Sequence, residues 1–186
     1  MVRPMRLLTL VFLCAVGAVL AIAALPAVTA AAAGGIDDDV TAALQKLYAS
    51  APVAKQIGAQ ARAILVFPNI VKAGFIVGGQ YGEGALVKEG RIVGHYNSVA
   101  GSYGLQAGVQ KFGYALFLMN DRALEYLDNS DGWEVGVGPS VVIVDQGKAK
   151  SLTTTTLRED VYAFIFSQKG LMAGLGIQGS KITKTK

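Results

Sequence analysis

The side chains best suited to chemistry are scarce in this sequence, which contains one His and one Cys among its 186 residues. His95 and Cys14 cannot build a zinc site of the Cys/His type, and a single Cys cannot form an intramolecular disulfide. His95 could activate only Ser98, Ser102 or Ser140, and none of these lies in a Gly-x-Ser-x-Gly turn that exposes a nucleophile. The sequence therefore predicts a protein that is not an enzyme.

Sites for cofactors and metals are equally poorly supported. Residues 79–84 (GQYGEG) resemble a phosphate-binding loop, but no Lys-Ser/Thr pair follows them. The carboxylates of Asp37, Asp38 and Asp39 suit the start of a helix, and they lack the spacing of a calcium loop. Glu83 and Glu134 can form a carboxylate pair only if the fold brings them together. We predict no cofactor and no metal, and we expect His95 to lie on the surface or opposite a neighbouring strand.

The N-terminus has the order of a secretory signal peptide over residues 1–30. Arg3 and Arg6 precede an uncharged apolar run over 7–24, and small residues at 28–30 offer a cleavage site. The competing interpretation is an uncleaved anchor, since the run has about the length of a short membrane span. Both predict export, to the periplasm or the cell envelope. Removing both arginines lowers the net charge from +4 to +2, which is too mild to indicate nucleic-acid binding.

Residues 31–37 are predicted to be a flexible leader, and residues 38–62 a helical arm. Apolar residues follow helical spacing from Val40 to Tyr48, and Ser50 followed by Pro52 indicates the N-cap and first turn of a second helix. Two interpretations of the apolar side of the arm stay open. It can pack against the rest of the domain, or it can lie on a membrane as an amphipathic segment.

Residues 63–186 are predicted to form a β-rich body. A short buried run over 64–67 ends at Pro68-Asn69, and Glu89-Gly90 is typical of a hairpin turn. Residues 121–128 indicate a short helix after Asn120, and residues 133–144 a single strand; further strands are expected over 153–156, 161–166 and 171–177. Glycines inside strands favour bends and bulges. The expected fold is α+β: a curved, Gly-rich antiparallel β-sheet or small barrel with packed N-terminal helices and one short internal helix.

Four motifs in order along the chain support a more specific interpretation. They are residues 67–75 (FPNIVKAGF) running into 78–84 (GGQYGEG), residues 104–110 (GLQAGVQ), residues 132–136 (GWEVG), and residues 166–174 (FSQKGLMAG) ending in 179–182 (GSKI). Together they resemble the SYLF domain, a lipid-binding family shared by exported bacterial proteins and by eukaryotic proteins of the actin patch and membrane traffic. The resemblance spans about residues 38–183 and assigns this domain to residues 38–186.

The resemblance implies peripheral binding to anionic lipids or phosphoinositides, and in some fungal members binding to actin. Carried over to this sequence, the lipid-binding residues are Lys46, Lys55 and Arg62 of the arm, with Lys72 and Lys169 of the motifs. Lys72 and Lys169 have an alternative role in the fold, for instance in ion pairs with Glu83 or Glu134. The alternative function is a structural or protein-interaction module with an envelope protein as its partner and no dependence on lipid.

Overall fold

The structure is a computed structural model that describes residues 35–144, 157–170 and 179–185, with the backbone alone for 102–107. The chain divides into two units, Met1–Ala33 and Gly34–Lys186, and all described residues belong to the second. The predicted signal peptide, Cys14 and the strands expected over 153–156 and 171–177 lie outside the described residues.

Two helices open the described chain, α1 (Ile36–Ser50) and α2 (Pro52–Gly58). The first turn of α1 carries the three aspartates, which favour the positive end of the helix dipole. Pro52 begins α2 as predicted, because its fixed φ suits a first helical turn. The prediction of Ser50 as N-cap is wrong: Ala51 occupies that position, and the Ser50 hydroxyl donates to the carbonyl of Leu47 at 3.1 Å.

A long antiparallel hairpin, β1 (Ala63–Lys88) and β2 (Arg91–Leu118), forms most of the sheet. The predicted turn at Glu89-Gly90 is confirmed, and both residues have positive φ, as a two-residue hairpin turn of this twist requires. The prediction that Pro68-Asn69 ends a strand is wrong. The pair forms a bulge instead, because Phe67 opposes Tyr114 while Ile70 already opposes Phe112.

The hairpin folds back on itself at a bend formed by residues 74–78. At Gly84, an added Cβ would contact the ring of Phe67 at 2.6 Å, and at Gly82 it would contact Ile70 at 2.7 Å, so the second half of β1 packs closely on the first. Strand β2 crosses the same bend with residues 104–106, which lie between the pairs Val77–Tyr103 and Phe75–Ala107. Glycine is required at these contacts because no side chain fits between the two layers.

The remaining described elements are one helix and four strands, and the strands extend the sheet on the other side of β2. They are α3 (Asp121–Asn129), β3 (Trp133–Glu134), β4 (Val141–Val144), β5 (Val161–Gly170) and β6 (Lys181–Lys184). The described strands have the order β3-β6-β2-β5-β4, with β1 also paired to β2. Asn120 caps α3 by accepting a hydrogen bond from the amide of Ala123 at 3.0 Å.

Two details of the predicted sheet are wrong. Residues 133–144 do not form one strand, because Gly136 and Gly138 have positive φ and a turn separates β3 from β4. The indole of Trp133 closes this turn by donating to the carbonyl of Val137 at 3.0 Å. The sheet is also not wholly antiparallel, since β4 pairs with β5 in parallel.

The sheet has two buried faces, which we call the inner face and the outer face. The inner face lies inside the curl and buries Phe67, Ile70 and Tyr114 together with α3 and Trp133. The outer face buries Val66 and Phe117 beneath Leu47 and Ile57 of the two N-terminal helices. This arrangement confirms the α+β class with a curved, Gly-rich sheet. None of the described helices has the length and apolar content that a membrane-crossing helix requires.

Candidate functional site

Lys111 of β2 and Lys169 of β5 form a cross-strand pair at the end of the outer face. They are directly opposed, and Val71 of β1 opposes Lys111 on its other side. Both lysines are exposed, and neither forms a hydrogen bond or an ion pair with a described residue. Like charges directly opposite each other destabilise a sheet. Among the described residues the two charges have no stabilising partner, and they are presented side by side to the surroundings.

A bulge in β5 places Lys169 on this face. Phe166 opposes Gly113 and Lys169 opposes Lys111, so three residues of β5 span two residues of β2. Within the bulge Ser167 has a φ of 55°, which a non-glycine residue rarely adopts. Side chains alternate between the faces of a strand, so without the extra residue Lys169 would point to the inner face. Bulges commonly re-aim one side chain in this way.

Lys72 lies on the opposite face from this pair. It opposes Gln110, one residue beyond the Val71–Lys111–Lys169 row, and its side chain is buried, with 8% exposed. Lys72 is also engaged in an interaction within the protein. A buried ammonium group is costly unless it is paired. The placement favours the role in the fold for Lys72, and it separates Lys72 from Lys169.

The three cations of the arm are exposed but do not join the pair. Lys46 lies on α1 and Lys55 on α2, and both helices pack their apolar sides against the outer face. Arg62 follows α2 and forms an ion pair with Asp121 at 3.4 Å. The burial of the arm favours packing over a free membrane-binding segment. The structure thus distributes the five predicted residues over two helices, the connection to β1 and two faces of the sheet.

Lys111 is the residue that the sequence did not reveal. The sequence alternates between apolar and polar or small residues over 103–110 and is largely apolar over 114–119, so Lys111 falls between two segments with the character of strands. The structure instead continues β2 through it. Its significance depends on the register between β2 and β5, and no local pattern encodes a pairing between residues so far apart. The only nearby feature of the sequence that draws attention to Lys111 is its neighbour Gln110, at which the alternating segment ends.

The side chains that were considered as candidates for catalysis have structural contacts. His95 Nε2 lies 2.7 Å from Asp37 Oδ1, so the nearest carboxylate comes from the start of α1 and is distant in sequence. Ser140 is bound to Asp160, while the buried hydroxyl of Ser98 has no partner within the described part of the chain. Glu83 accepts a hydrogen bond from Tyr81 at 2.8 Å, which raises the pKa of that phenol. None of these arrangements aligns a nucleophile with a base.

Asp160 has the most strongly organised carboxylate among the described residues. Burial raises its pKa, but hydrogen bonds from Asn120, from the backbone and hydroxyl of Ser140, and from Arg122 outweigh burial and lower the pKa to about 2. These bonds join α3 and the start of β4 to β5. The carboxylate is therefore saturated by donors and acts as a structural anchor. In the described ranges no group of three His, Cys, Asp or Glu side chains is placed to hold a metal.

Comparison with known protein families gives a match over the second half of the chain. Residues 99–186 match the family model Ysc84, described as "Las17-binding protein actin regulator". The matched stretch begins within β2 and includes both lysines of the cross-strand pair. A search of curated proteins gives no match.

Proposed function

Residues 99–186 of this chain match the Ysc84 family model, and from this similarity we propose that the protein has a SYLF domain that binds anionic lipid headgroups at a membrane surface. The proposal includes export to the periplasm or cell envelope and a role without catalysis. The ligand class is phosphate-bearing lipid, with phosphoinositides as one member. The observation that supports it is the exposed Lys111–Lys169 pair, which has no described acidic partner.

The expected strength of this attraction can be worked out. A Lys close to an anionic membrane contributes about 1 kcal/mol, so the pair contributes about 2 kcal/mol, or about thirtyfold in affinity. Salt screens such charges over about 10 Å at 0.1 M ionic strength. Binding through the pair is therefore expected to be reversible and to weaken steeply as salt is raised.

Flotation with vesicles tests the proposal. The protein produced from the full chain should float with vesicles of phosphatidylcholine that contain phosphatidylglycerol, cardiolipin or a phosphoinositide, and it should stay behind with phosphatidylcholine alone. Absence of binding to every anionic vesicle at low salt would refute lipid binding.

A matched pair of double variants tests the site. Lys111→Gln with Lys169→Gln should weaken vesicle binding about thirtyfold, whereas Lys46→Gln with Lys55→Gln removes the same charge from the arm and should cost clearly less. All four side chains are exposed, so we expect neither double variant to lower the melting temperature. Equal loss in the two double variants would show that net charge, rather than the pair, controls binding.

Export is tested separately by sequencing the N-terminus of the protein recovered from cells. A product that begins within residues 31–34 supports cleavage of the signal peptide. An intact Met1 on membrane-bound protein contradicts cleavage and favours the anchor.

A protein-interaction module is the second candidate, and the family description supports it because it names binding to the protein Las17 and regulation of actin. For this chain the corresponding proposal is an envelope protein partner that is bound without lipid. Retention of one such partner in the presence and absence of detergent, by protein that does not float with vesicles, would favour this candidate.

A further inference from the structure

Three consecutive apolar side chains are exposed at the bend of the long hairpin. Phe75, Ile76 and Val77 are 74%, 44% and 64% exposed. Single exposed apolar residues are common on protein surfaces, but a contiguous group marks a contact site. We call these three residues the tip.

The backbone makes the tip project. Gly74 and Gly78 flank it, and a Cβ on Gly74 would lie 2.9 Å from the carbonyl oxygen of Val77, so the chain turns back on itself within this segment. Ile76 has a φ of 65°, which is a strained conformation for a β-branched residue. A glycine there would relieve the strain and remove the exposed side chain. The bend alone does not explain why isoleucine occupies this position.

The apolar surface continues from the tip to the lysine pair. On the outer face Phe75 is followed by Ala73 opposite Val109, and then by Val71 opposite Lys111. Val71 and Val109 are both exposed. The four residue-to-residue steps from Phe75 to Val71 span about 13 Å of strand. Apolar side chains of interfacial segments enter a membrane by about 5–10 Å. A lysine can extend its aliphatic stem along apolar surface and keep its charged end at the level of the headgroups. The spacing suits insertion of the tip with both lysines at headgroup level.

We propose that the tip inserts into the interfacial region of an anionic membrane while Lys111 and Lys169 contact the lipid phosphates. This inference rests on the proposed function and deepens it by naming the part of the fold that enters the bilayer. The proposed partner is a membrane rather than a protein groove because the exposed apolar side chains project outward and are bordered by two lysines that have no acidic partner among the described residues. Apolar insertion and charge attraction then act in one direction along the hairpin.

Fluorescence quenching measures insertion directly. Trp133 is the one Trp of the chain and is 1% exposed, so the unaltered protein should show little quenching by vesicles that contain phosphatidylglycerol and brominated-acyl phosphatidylcholine. Phe75→Trp should be quenched strongly in the same vesicles. Val93→Trp is the control, since Val93 is 52% exposed but lies near the turn at the other end of the hairpin. It should bind without additional quenching.

Partitioning gives an independent test. Phe75→Ser with Val77→Ser should reduce binding to phosphatidylglycerol vesicles at least tenfold, and the loss should persist at high salt, because it removes apolar rather than charged contact. Val93→Ser with Val137→Ser changes two valines that are each 52% exposed and should have little effect. Melting temperatures should stay unchanged in both double variants.

The outcomes separate the inference from the proposed function. Suppose that the unaltered protein floats with anionic vesicles, but that Phe75→Trp is not quenched and the tip variant (Phe75→Ser with Val77→Ser) binds normally. The inference that the tip inserts is then refuted, and lipid binding occurs elsewhere on the protein. If the unaltered protein binds no vesicles, the proposed function itself fails. Loss of a protein partner by the tip variant, with vesicle binding unchanged, would also overturn the inference and assign the tip to protein contact.

Discussion

Asp160 offers the sharpest test of how the fold is held together. Its side chain is 9% exposed and accepts hydrogen bonds from Asn120 Nδ2 at 2.8 Å and from the amide of Ser140 at 2.8 Å, while Arg122 forms an ion pair with it. These bonds lower its pKa from 3.8 to about 2. Lowering the pKa from 3.8 to about 2 corresponds to about 2 kcal/mol of folding free energy.

The sign of the pH dependence follows from the lowered pKa. The ionised carboxylate stabilises the folded state above pH 3.8, and this contribution is lost as the pH falls from 3.8 towards 2. Asp160→Asn should therefore lower the free energy of unfolding by at least about 2 kcal/mol at pH 7, and the difference from the unaltered protein should shrink across that window.

Urea denaturation followed by Trp133 fluorescence measures the difference at each pH. Asp131→Asn is the matched control, because Asp131 is exposed and has no hydrogen bond or ion pair within the described residues. It should change the free energy of unfolding by less than about 0.5 kcal/mol. A difference for Asp160→Asn that stays constant from pH 7 to pH 2 would refute the ionisation argument, and no difference at pH 7 would refute the structural role.

Two further substitutions test the packing of the sheet. Gly84→Ala should lower the free energy of unfolding by about 3 kcal/mol, because the added Cβ would overlap the carbonyl oxygen of Val66 and the ring of Phe67. Gly101→Ala is the control, since an added Cβ there meets open space and should change the free energy of unfolding little. Equal effects of the two substitutions in urea denaturation would contradict the close packing of β1 on itself. Tyr114→Phe should raise the free energy of unfolding by about 1 kcal/mol, because the buried Tyr114 hydroxyl has no partner among the described residues and burial raises the pKa of the phenol. A loss of stability in the same assay would show that the hydroxyl is paired.

Features encoded by neighbouring residues were predictable from the sequence. The start of α2 at Pro52, the cap of α3 at Asn120 and the turn at Glu89-Gly90 each depend on the conformational preferences of a few adjacent side chains. Glycines inside strands correctly predicted a curved sheet, since they mark positions where another part of the backbone comes close. The family motifs added the expectation that lysines act at a lipid surface, and Lys169 lies in an exposed position that suits this role.

Features that depend on register were not predictable in the same way. Pro68-Asn69 breaks the hydrogen-bond ladder whether it ends a strand or forms a bulge, so the two outcomes look alike in the sequence. The opposite placement of Lys72 and Lys169 depends on bulges that change which face a side chain occupies. Lys111 becomes significant only when β5 aligns with β2. A one-residue change of register would exchange the faces of all these side chains.

The glycines and the tip together connect the fold to the proposed function. Gly82 and Gly84 let the hairpin close on itself, and that closure turns residues 74–78 into a projecting bend. A bend that served only to close the sheet would be best built from glycine and polar residues, which tolerate positive φ and contact with water. This bend instead holds Ile76 in a strained conformation between exposed Phe75 and Val77. Because these side chains give the folded core little, their explanation lies in what the tip contacts outside the protein.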